Sequence, residues 1–203
     1  MERAKTIFVT SATGNQGGAV AKNLLAEGFK VKALTRNPDS QKAKILQQLN
    51  AEVVKGDLND PSGFVRHLKN VHGVFSVLSY EDGVEKEIKQ GIALVDLAKQ
   101  YVVPQFVYSS VIGSDAYTGI PHWESKFIIE NHVRYLGLPY TILRPSSLCE
   151  NFLIPQVKSR IQKGKLVTPV DKDTGQQFIS AEDIGKITTE IFKNPFRMKE
   201  KPW

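Results

Sequence analysis

The chain of 203 residues contains a single cysteine, Cys149. One cysteine excludes an internal disulfide, and such sparse cysteine usage is typical of proteins in a reducing compartment. We interpret Cys149 as a small core residue, with a nucleophilic role as the alternative.

Long apolar runs are also missing from the sequence. No run approaches the roughly 18 residues that a membrane-spanning helix needs. The first five residues lead directly into a strand-like run and do not resemble a signal peptide, so none is expected. We therefore expect no membrane association and a cytoplasmic location, with the nucleus as an alternative.

Basic residues exceed acidic ones, but they are scattered. The formal net charge is +6, with local lysine clusters at 158–165 and 193–201. No segment interleaves basic and aromatic residues as a nucleic-acid groove does, so we expect no nucleic-acid partner. The charge is interpreted as a solvated surface, and a positive field would also attract an anionic dinucleotide. No metal ligands are assigned.

The most informative segment of the chain is a small-residue turn between a strand-like run and a helix-like run. Its spacing is Ser11-x-x-Gly14-x-x-Gly17, which fits a dinucleotide-binding turn with the first glycine replaced. Backbone N–H groups at the start of such a helix point at the diphosphate. The alternative is a strand–helix connection that binds nothing. The predicted cofactor-binding residues of this turn are Ser11, Thr13, Gly14, Asn15, Gln16 and Gly17.

Strand-like and helix-like segments alternate along the chain. Strands are predicted at residues 6–10, 30–35, 52–55, 73–78, 104–109 and 140–143, with a further extended segment at 165–170. Helices are predicted at 17–27, from 39 or 40 to 49, from 60, and at 84–100, 123–135, 151–163 and 180–192, before a frayed basic tail from 194. This rhythm predicts an α/β fold, a Rossmann-type doubly wound parallel sheet. We expect a binding domain at 1–150 and a small C-terminal lobe at 151–203.

The end of the second strand bears on which cofactor is bound. An acidic residue there would bind the ribose 2′-hydroxyl of NAD, whereas an arginine accommodates the 2′-phosphate of NADP. The sequence places Arg36 there and no acidic residue. We predict NADP(H), and the alternative is an exposed loop arginine.

Two further strand ends carry candidate binding residues. Asp57 and Leu58 follow the third strand, where they can face an adenine ring. An equally local interpretation is an Asx turn that leads into a helix at Asp60. Residues 76–80 end the fourth strand and are expected beside the cofactor ribose.

A third group of polar residues follows the fifth strand. Ser109 and Ser110 end that strand, and His122 and Lys126 stand four apart in the next helix, so they share a face. The lysine could bind a ribose, the serine could orient a carbonyl oxygen, and the histidine could donate a proton. The alternative is a surface lysine and a histidine at the helix start.

Together these residues resemble the NmrA-like branch of the atypical short-chain dehydrogenase/reductases, over nearly the whole chain. The segments that carry the resemblance are Thr13-Gly14-Asn15-Gln16-Gly17-Gly18, Thr35-Arg36-Asn37-Pro38, Gly56-Asp57-Leu58, Lys89-Gln90-Gly91, Val107-Tyr108-Ser109-Ser110, His122-x-x-x-Lys126, Gly137-Leu138-Pro139-Tyr140-Thr141, Arg144-Pro145, Glu150-Asn151 and Ile179-Ser180-Ala181-Glu182-Asp183-Ile184. The resemblance implies a Rossmann domain that binds NADP and a small C-terminal lobe.

The resemblance also implies roles for individual residues. Lys126 matches the lysine that contacts the nicotinamide ribose, and His122 stands where the superfamily has its proton-donating tyrosine. Some members of the branch are NADP(H)-sensing regulators, and others reduce quinones or aldehydes.

Three hypotheses follow. The first is a redox sensor that couples cofactor state to a protein partner. The second is a reductase with Lys126, His122 and Ser109 as catalytic residues, and with Tyr80, Tyr108 or Tyr117 as alternative proton donors. The third is an interaction domain with a vestigial site. Homodimerisation stays open.

Three departures from the family pattern bear on these hypotheses. Ser11 replaces a common glycine, so its side chain is expected to crowd the turn. Ser40 stands where some relatives have a second basic residue, which leaves Arg36 alone with the 2′-phosphate. The chain is also shorter than is usual for the family, so we expect a shortened C-terminal lobe and a nicotinamide end that is open to water.

Overall fold

The structure, a computed structural model, describes residues 4–168, 170–171 and 173–194. Its strands are β1 (Thr6–Val9), β2 (Lys30–Thr35), β3 (Glu52–Lys55), β4 (Gly73–Val77), β5 (Phe106–Ser109), β6 (Tyr140–Leu143), β7 (Ser147–Leu148) and β8 (Phe178–Ile179). Its α-helices are α1 (Asn15–Ala26), α2 (Gln41–Gln48), α3 (Val84–Gln100), α4 (Pro121–Leu136), α5 (Pro155–Gln162) and α6 (Ala181–Lys193). The expected frayed tail lies outside the described residues, apart from Asn194.

The central sheet has six parallel strands in the order β3-β2-β1-β4-β5-β6. This is the order of the doubly wound dinucleotide-binding fold, so the predicted fold class is confirmed. The strand order reverses between β1 and β4. Such a switch point leaves a crevice beyond the carboxyl ends of the strands, where ligands bind.

Side chains that alternate along each strand divide the core into two layers. Ile7 and Val9 face one side of the sheet, where α1, α2 and α6 pack. Phe8 faces the other side, against α3 and α4. Because both faces are covered, the strands are short apolar runs, as expected for a buried parallel sheet.

Helix α6 belongs to the main core although it lies late in the chain. It packs along α1, and its Ile184, Ile191 and Phe192 are buried in the same layer as β1. Ser180 caps the helix by accepting a hydrogen bond from the Asp183 amide at 3.0 Å. The domain division at residue 150 stays a prediction, and this part of the segment 151–203 lies against the sheet.

Two predicted helices differ from the structure. The helix predicted from Asp60 consists of two 3₁₀ turns, Pro61–Gly63 and Val65–Leu68. Phe64 separates them, since its φ of −129° is not helical and its ring is buried against Phe8.

The helix predicted at 151–163 is divided into a 3₁₀ turn, Cys149–Leu153, and α5. The division falls at Pro155, which favours an extended ψ at the preceding Ile154.

The segment predicted to be extended at 165–170 pairs with no strand in its described residues, and its Leu166 and Val167 are exposed. The interpretation of Cys149 as a core residue is wrong, because Cys149 is exposed. In the described part of the chain, no helix combines the length and apolarity needed to cross a bilayer.

Candidate functional site

A crevice of about 600 Å³ opens at the carboxyl ends of β1, β2 and β4. This volume lies in the range of small-molecule sites. The lining includes nine of the ten predicted cofactor-binding residues: Ser11, Thr13, Gly14, Asn15, Gln16, Gly17, Arg36, Asp57 and Leu58. The structure therefore brings together every predicted cofactor-binding residue except Lys126.

The turn between β1 and α1 exposes the start of a helix to this crevice. Gly14 is the N-cap and contributes no side-chain hydrogen bond, and the first turn of α1 contains no acidic residue. The first N–H groups of a helix have no intrahelical acceptors, and they carry the positive end of the helix dipole. This end of the crevice is therefore suited to an anion.

Gly17 makes the close packing of the turn on β1 possible. A Cβ atom at this position would lie 2.6 Å from the carbonyl oxygen of Thr10 and would also clash with the carbonyl of Ser11. Both neighbours are backbone, so neither can move aside cheaply. The missing side chain brings helix and strand together as in dinucleotide-binding turns, and the turn fits a diphosphate.

Ser11 explains why a glycine is common at its position. Its φ is +46°, in the left-handed region that glycine adopts most easily. Its hydroxyl donates a hydrogen bond to the carbonyl of Val77 at 3.1 Å. This bond ties the side chain to the end of β4, so the turn keeps its shape with a serine in the glycine position.

Arg36 lies at the mouth of the crevice. Its side chain is 73% exposed, and its guanidinium lies 3.7 Å from the carboxylate of Asp82, in the loop after β4. The β2 loop that carries Arg36 is held by the Asn37 amide, which donates to the Thr35 hydroxyl at 3.2 Å. Ser40 caps α2 instead of facing the crevice.

In the loop after β3, Asp57 both forms an Asx turn and lines the crevice, so both interpretations of this residue apply. Its carboxylate accepts hydrogen bonds from the backbone and side-chain amides of Asn59 at 2.9 and 2.7 Å, which forms an Asx turn. Asp57 also lines the crevice, as does Gln90 of α3, which donates to Asn59 at 2.9 Å. Hydrogen bonds from Ser62 lower the pKa of the neighbouring Asp60.

Lys126 is engaged inside the protein. Its ammonium donates to the carboxylate of Glu87 on α3 at 2.6 Å, and the Ser125 hydroxyl donates to the same carboxylate at 2.6 Å. Glu87 is fully buried, whereas the Lys126 side chain is 10% exposed. The contact joins α3 to α4, and Lys126 does not line the crevice.

The other two predicted catalytic residues also lie next to the crevice rather than along it. The Ser109 hydroxyl donates to the side-chain oxygen of Gln16, a crevice residue, at 2.6 Å. The His122 ring stacks on Tyr80, with ring centroids 4.5 Å apart. Tyr80 follows Ser79, which lines the crevice, so the pair stands beside one end of it.

Two of the three alternative tyrosines are poorly placed to donate a proton. Tyr108 is a residue of β5 whose side chain is buried in the same core layer as Phe8. Burial, together with the negative charges of Glu87 and Glu130, raises its pKa well above 10. Tyr117 is 79% exposed and packs edge-on against Phe127. Tyr80 is left as the tyrosine nearest to His122.

A second buried carboxylate anchors α4. Glu130 accepts hydrogen bonds from Arg144 at 2.7 and 3.0 Å, from Arg134 at 2.8 Å and from Ser114 at 2.9 Å. Burial opposes its ionisation, but these donors outweigh burial and hold the pKa of Glu130 below 4.5. Arg144 also binds Asp115 at 2.6 Å. In the residues that the structure describes, no three His, Cys, Asp or Glu side chains cluster as a metal site requires.

Sequence reasoning missed Glu87, Asp82 and Gln90. The helical spacing of α3 predicts that Ile88, Ile92, Val95 and Ala98 face inward; Val95 and Ala98 are buried, whereas Ile88 and Ile92 are only half-buried. The buried stripe of the helix is Glu87, Gly91, Leu94, Val95 and Ala98. A glutamate spaced four residues before a glycine and seven before a leucine was the available signal for a buried carboxylate.

Comparisons with known proteins agree with this geometry. The sequence model of the NmrA-like family matches residues 3–202. An NmrA-like family domain-containing protein of Dictyostelium discoideum is 31% identical over 96% of this chain and 69% of its own length. An NmrA-like family domain-containing oxidoreductase of Malbranchea aurantiaca is 31% identical over 96% of this chain and 65% of its own.

A solved structure is similar over almost all of the chain. The crystal structure of NmrA, a negative transcriptional regulator, in complex with NADP has a TM-score of 0.84 and 27% identity, over 99% of this chain and 66% of that one. The same regulator is also known in complex with NAD. The present chain thus spans about two thirds of the length of these relatives.

Proposed function

The chain belongs to the NmrA-like family, and from this premise we propose that its crevice binds NADP(H) and that it acts as a redox-sensing regulator. In this proposal the cofactor state is coupled to the affinity for a protein partner. Homodimerisation is a variant in which the partner is a second copy. The family match and the geometry of the crevice support the binding step, on which the sensor role depends.

One observation carries the binding proposal: an uncapped helix start and an arginine lie on the lining of the same crevice. The amides at the start of α1 would hold the diphosphate, and Arg36 would form charge-assisted hydrogen bonds with the 2′-phosphate. Asp57 and Leu58 would contact the adenine ring. The structure of the regulator NmrA in complex with NADP supports the choice of cofactor.

Calorimetric titration of the protein with NADPH, NADP⁺, NADH and NAD⁺ tests the binding step. The proposal expects both phosphorylated forms to bind at least about tenfold more tightly than the unphosphorylated ones, since a charge-assisted hydrogen bond contributes about 1.5–3 kcal/mol. Equal affinities for NADPH and NADH would contradict the role proposed for Arg36. Absence of binding to any of the four nucleotides would contradict the whole proposal.

The sensor role requires that the protein respond differently to the two redox states of the cofactor. A partner can follow cofactor state only through a conformational or dynamic difference between the two complexes. The loop that contains Tyr80 and Asp82 is a suitable element, because it lines the crevice and contacts α4 through His122.

Hydrogen exchange on the NADP⁺-saturated and NADPH-saturated protein measures that difference. We expect the amides of residues 79–83 and of the first turn of α4 to differ in protection between the two complexes. Identical exchange throughout the chain would contradict the sensor role while leaving cofactor binding intact.

A second candidate function is favoured by the stacked pair of Tyr80 and His122. NADPH supplies a hydride when bound, and reduction of a quinone or carbonyl compound also needs a proton. Histidine side chains can donate a proton in general acid catalysis, and the His122 ring stacks on Tyr80 with ring centroids 4.5 Å apart. Lys126 would orient the nicotinamide ribose, and Ser109 would orient a carbonyl oxygen.

NADPH oxidation against a panel of quinones and aldehydes distinguishes the reductase from the sensor. A reductase should lose most of its turnover in Lys126→Met and His122→Phe variants but retain it in Tyr135→Phe, an exposed tyrosine at the far end of α4. If none of these substitutions lowers turnover, the reaction does not take place next to Lys126 and His122. If the protein binds the cofactor normally but shows no turnover, the sensor is favoured over the reductase.

A further inference from the structure

Glu87 is a carboxylate with no solvent exposure, and both of its oxygens are used by α4. One oxygen accepts from the Lys126 ammonium and the other from the Ser125 hydroxyl, each at 2.6 Å. Burying a carboxylate is costly unless it is paired and hydrogen-bonded. A leucine or methionine would fill the same space without that cost, so a charge at this place calls for an explanation beyond packing.

The two members of this ion pair differ in their access to solvent. Glu87 is closed off completely, whereas the Lys126 side chain retains 10% exposure. An ammonium has three N–H donors, and Glu87 takes one of them. The lysine is therefore the member of the pair that can still donate to a ligand, while its contact with the carboxylate restricts the position of its ammonium.

The positions of both residues connect them to the crevice. Gln90, which follows Glu87 by one helical turn on α3, lines the crevice. His122, which precedes Lys126 by one turn on α4, stacks on Tyr80, next to crevice residue Ser79. The pair thus lies one helical turn from a crevice residue on α3 and one helical turn from the residue of α4 that stacks on Tyr80.

We propose that Glu87 is a positioning residue that holds the Lys126 ammonium in place to donate to the hydroxyls of the nicotinamide ribose. This inference rests on the proposed binding of NADP(H), and it assigns a function to a residue outside the crevice lining. Without the carboxylate, the ammonium would lose both its compensating charge and its fixed direction. The part of the cofactor beyond the diphosphate would then be held less tightly.

The test compares two ligands in a Glu87→Gln variant. NADPH carries the nicotinamide ribose, whereas 2′,5′-ADP carries the adenosine and both of its phosphates but no second ribose. We expect Glu87→Gln to weaken NADPH binding about tenfold and to leave 2′,5′-ADP binding within about twofold of the wild type. Glu85→Gln is the matched control, because Glu85 is an exposed glutamate in the first turn of the same helix.

Lys126 supplies the second arm of the experiment. Lys126→Met should weaken NADPH binding by a similar factor, and the Glu87→Gln/Lys126→Met double variant should be no weaker than either single variant, because both changes remove one interaction. The fluorescence of bound NADPH, which reports on its nicotinamide ring, should change equally in the three variants.

If Glu87→Gln does not fold, a Glu87→Leu/Lys126→Met variant removes both charges together and avoids an uncompensated buried ammonium. It should bind 2′,5′-ADP like the wild type and NADPH like Lys126→Met.

Three outcomes would overturn the proposal. If Glu87→Gln binds both ligands as the wild type does, Glu87 positions nothing. If it weakens both ligands equally, the ion pair is merely structural. If the wild type binds neither ligand, the proposed function fails, and this inference fails with it.

Discussion

The two ends of the crevice are built in opposite ways. At the glycine-turn end, defined by Ser11, Gly14–Gly17 and Arg36, the polar groups open on the crevice and carry few internal contacts. At the α4 end, defined by Ser109, His122 and Lys126, every polar side chain is engaged by another residue of the protein. The first end is prepared for an anion, and the second is held rigid by its own contacts.

This difference indicates that anion binding and the precise orientation of side chains require different kinds of residues. The glycine-turn end needs backbone amides and one exposed guanidinium, which the sequence supplies directly. The α4 end needs side chains whose orientation is fixed. These depend on two buried carboxylates, Glu87 and Glu130. Changes at the two ends should therefore separate affinity for the adenosine half of the cofactor from the stability and geometry of α4.

The largest effect is expected at the glycine turn. In a Gly17→Ala variant, the new Cβ would clash with the backbone carbonyls of Thr10 and Ser11. We expect the free energy of unfolding to fall by more than about 3 kcal/mol and NADPH binding to be lost, as measured by urea denaturation and calorimetry. Gly175→Ala is the control, because its Cβ would meet no atom within 4 Å. Normal binding by Gly17→Ala would contradict the tight turn.

The second-largest effect on stability is expected from a change in α4. Glu130→Gln would remove the buried carboxylate that Arg134 and Arg144 share and leave Arg144 with Asp115 alone, and we expect a loss of about 3 kcal/mol in the free energy of unfolding. The 2′,5′-ADP affinity of the folded variant should stay unchanged. A fall in that affinity comparable to the loss of stability would show that the two ends are not separate.

Glu130 should also leave a signature in the pH dependence of stability. Because its folded-state pKa lies below 4.5, its contribution is fully present above pH 4.5 and is lost as the pH falls through the lower folded-state value. Denaturation measured across that acidic range should be less pH-dependent in Glu130→Gln than in the wild type. An unchanged slope would contradict the assigned direction of the shift.

Arg36 should set the preference for the 2′-phosphate. We expect Arg36→Gln to weaken NADPH binding about tenfold or more and to leave NADH binding unchanged, since only NADPH carries that phosphate. The melting temperature should not change, because the side chain is largely exposed. Arg66→Gln is a charge-matched control, because Arg66 does not line the crevice. Equal effects of the two substitutions would mean that Arg36 acts only through the net positive charge of the protein and does not contact the 2′-phosphate.

A smaller effect of opposite sign is expected from Asp82. Its carboxylate lies 3.7 Å from Arg36 and therefore competes with the phosphate for the guanidinium. Asp82→Asn should tighten NADPH binding about two- to fivefold, the range that a weak surface ion pair allows. Asp173→Asn controls for the change in net charge. Weaker NADPH binding in Asp82→Asn would indicate that Asp82 helps to place Arg36 rather than competing for it.

The smallest effect is expected at Ser11. A Ser11→Gly change relieves the left-handed φ but removes the hydrogen bond to Val77, and these terms are each about 1 kcal/mol and opposite in sign. Stability and NADPH affinity should both stay close to wild type in thermal unfolding and titration. A large gain in affinity would support the expectation that the Ser11 side chain crowds the turn.

Local pattern was sufficient for much of the fold. The bounds of β2, β3, β6 and α3 were predicted to the residue, because each segment has a clear period and a turn residue at its end. The glycine turn and Arg36 could be proposed as cofactor-binding residues because that role depends on backbone conformation and on position after a strand. Both features are visible in sequence without knowledge of what packs against them.

The residues that were missed depend on contacts distant in sequence. Glu87 meets Lys126 across 39 positions, and only the packing of α3 on α4 shows that this charged residue is buried. The broken helix after Asp60 has a similar origin, because Phe64 is drawn into the core by Phe8, more than 50 positions earlier. No local period contains such information.

The central claim is that Arg36 holds the 2′-phosphate and the amides at the start of α1 hold the diphosphate of one NADP molecule. A crystal structure of the protein grown with NADP⁺ tests this most directly. The account expects the 2′-phosphate within hydrogen-bond distance of the Arg36 guanidinium and the diphosphate against the amides of Asn15–Gly17. A crevice without nucleotide, or a nucleotide whose 2′-phosphate points away from Arg36, would contradict it.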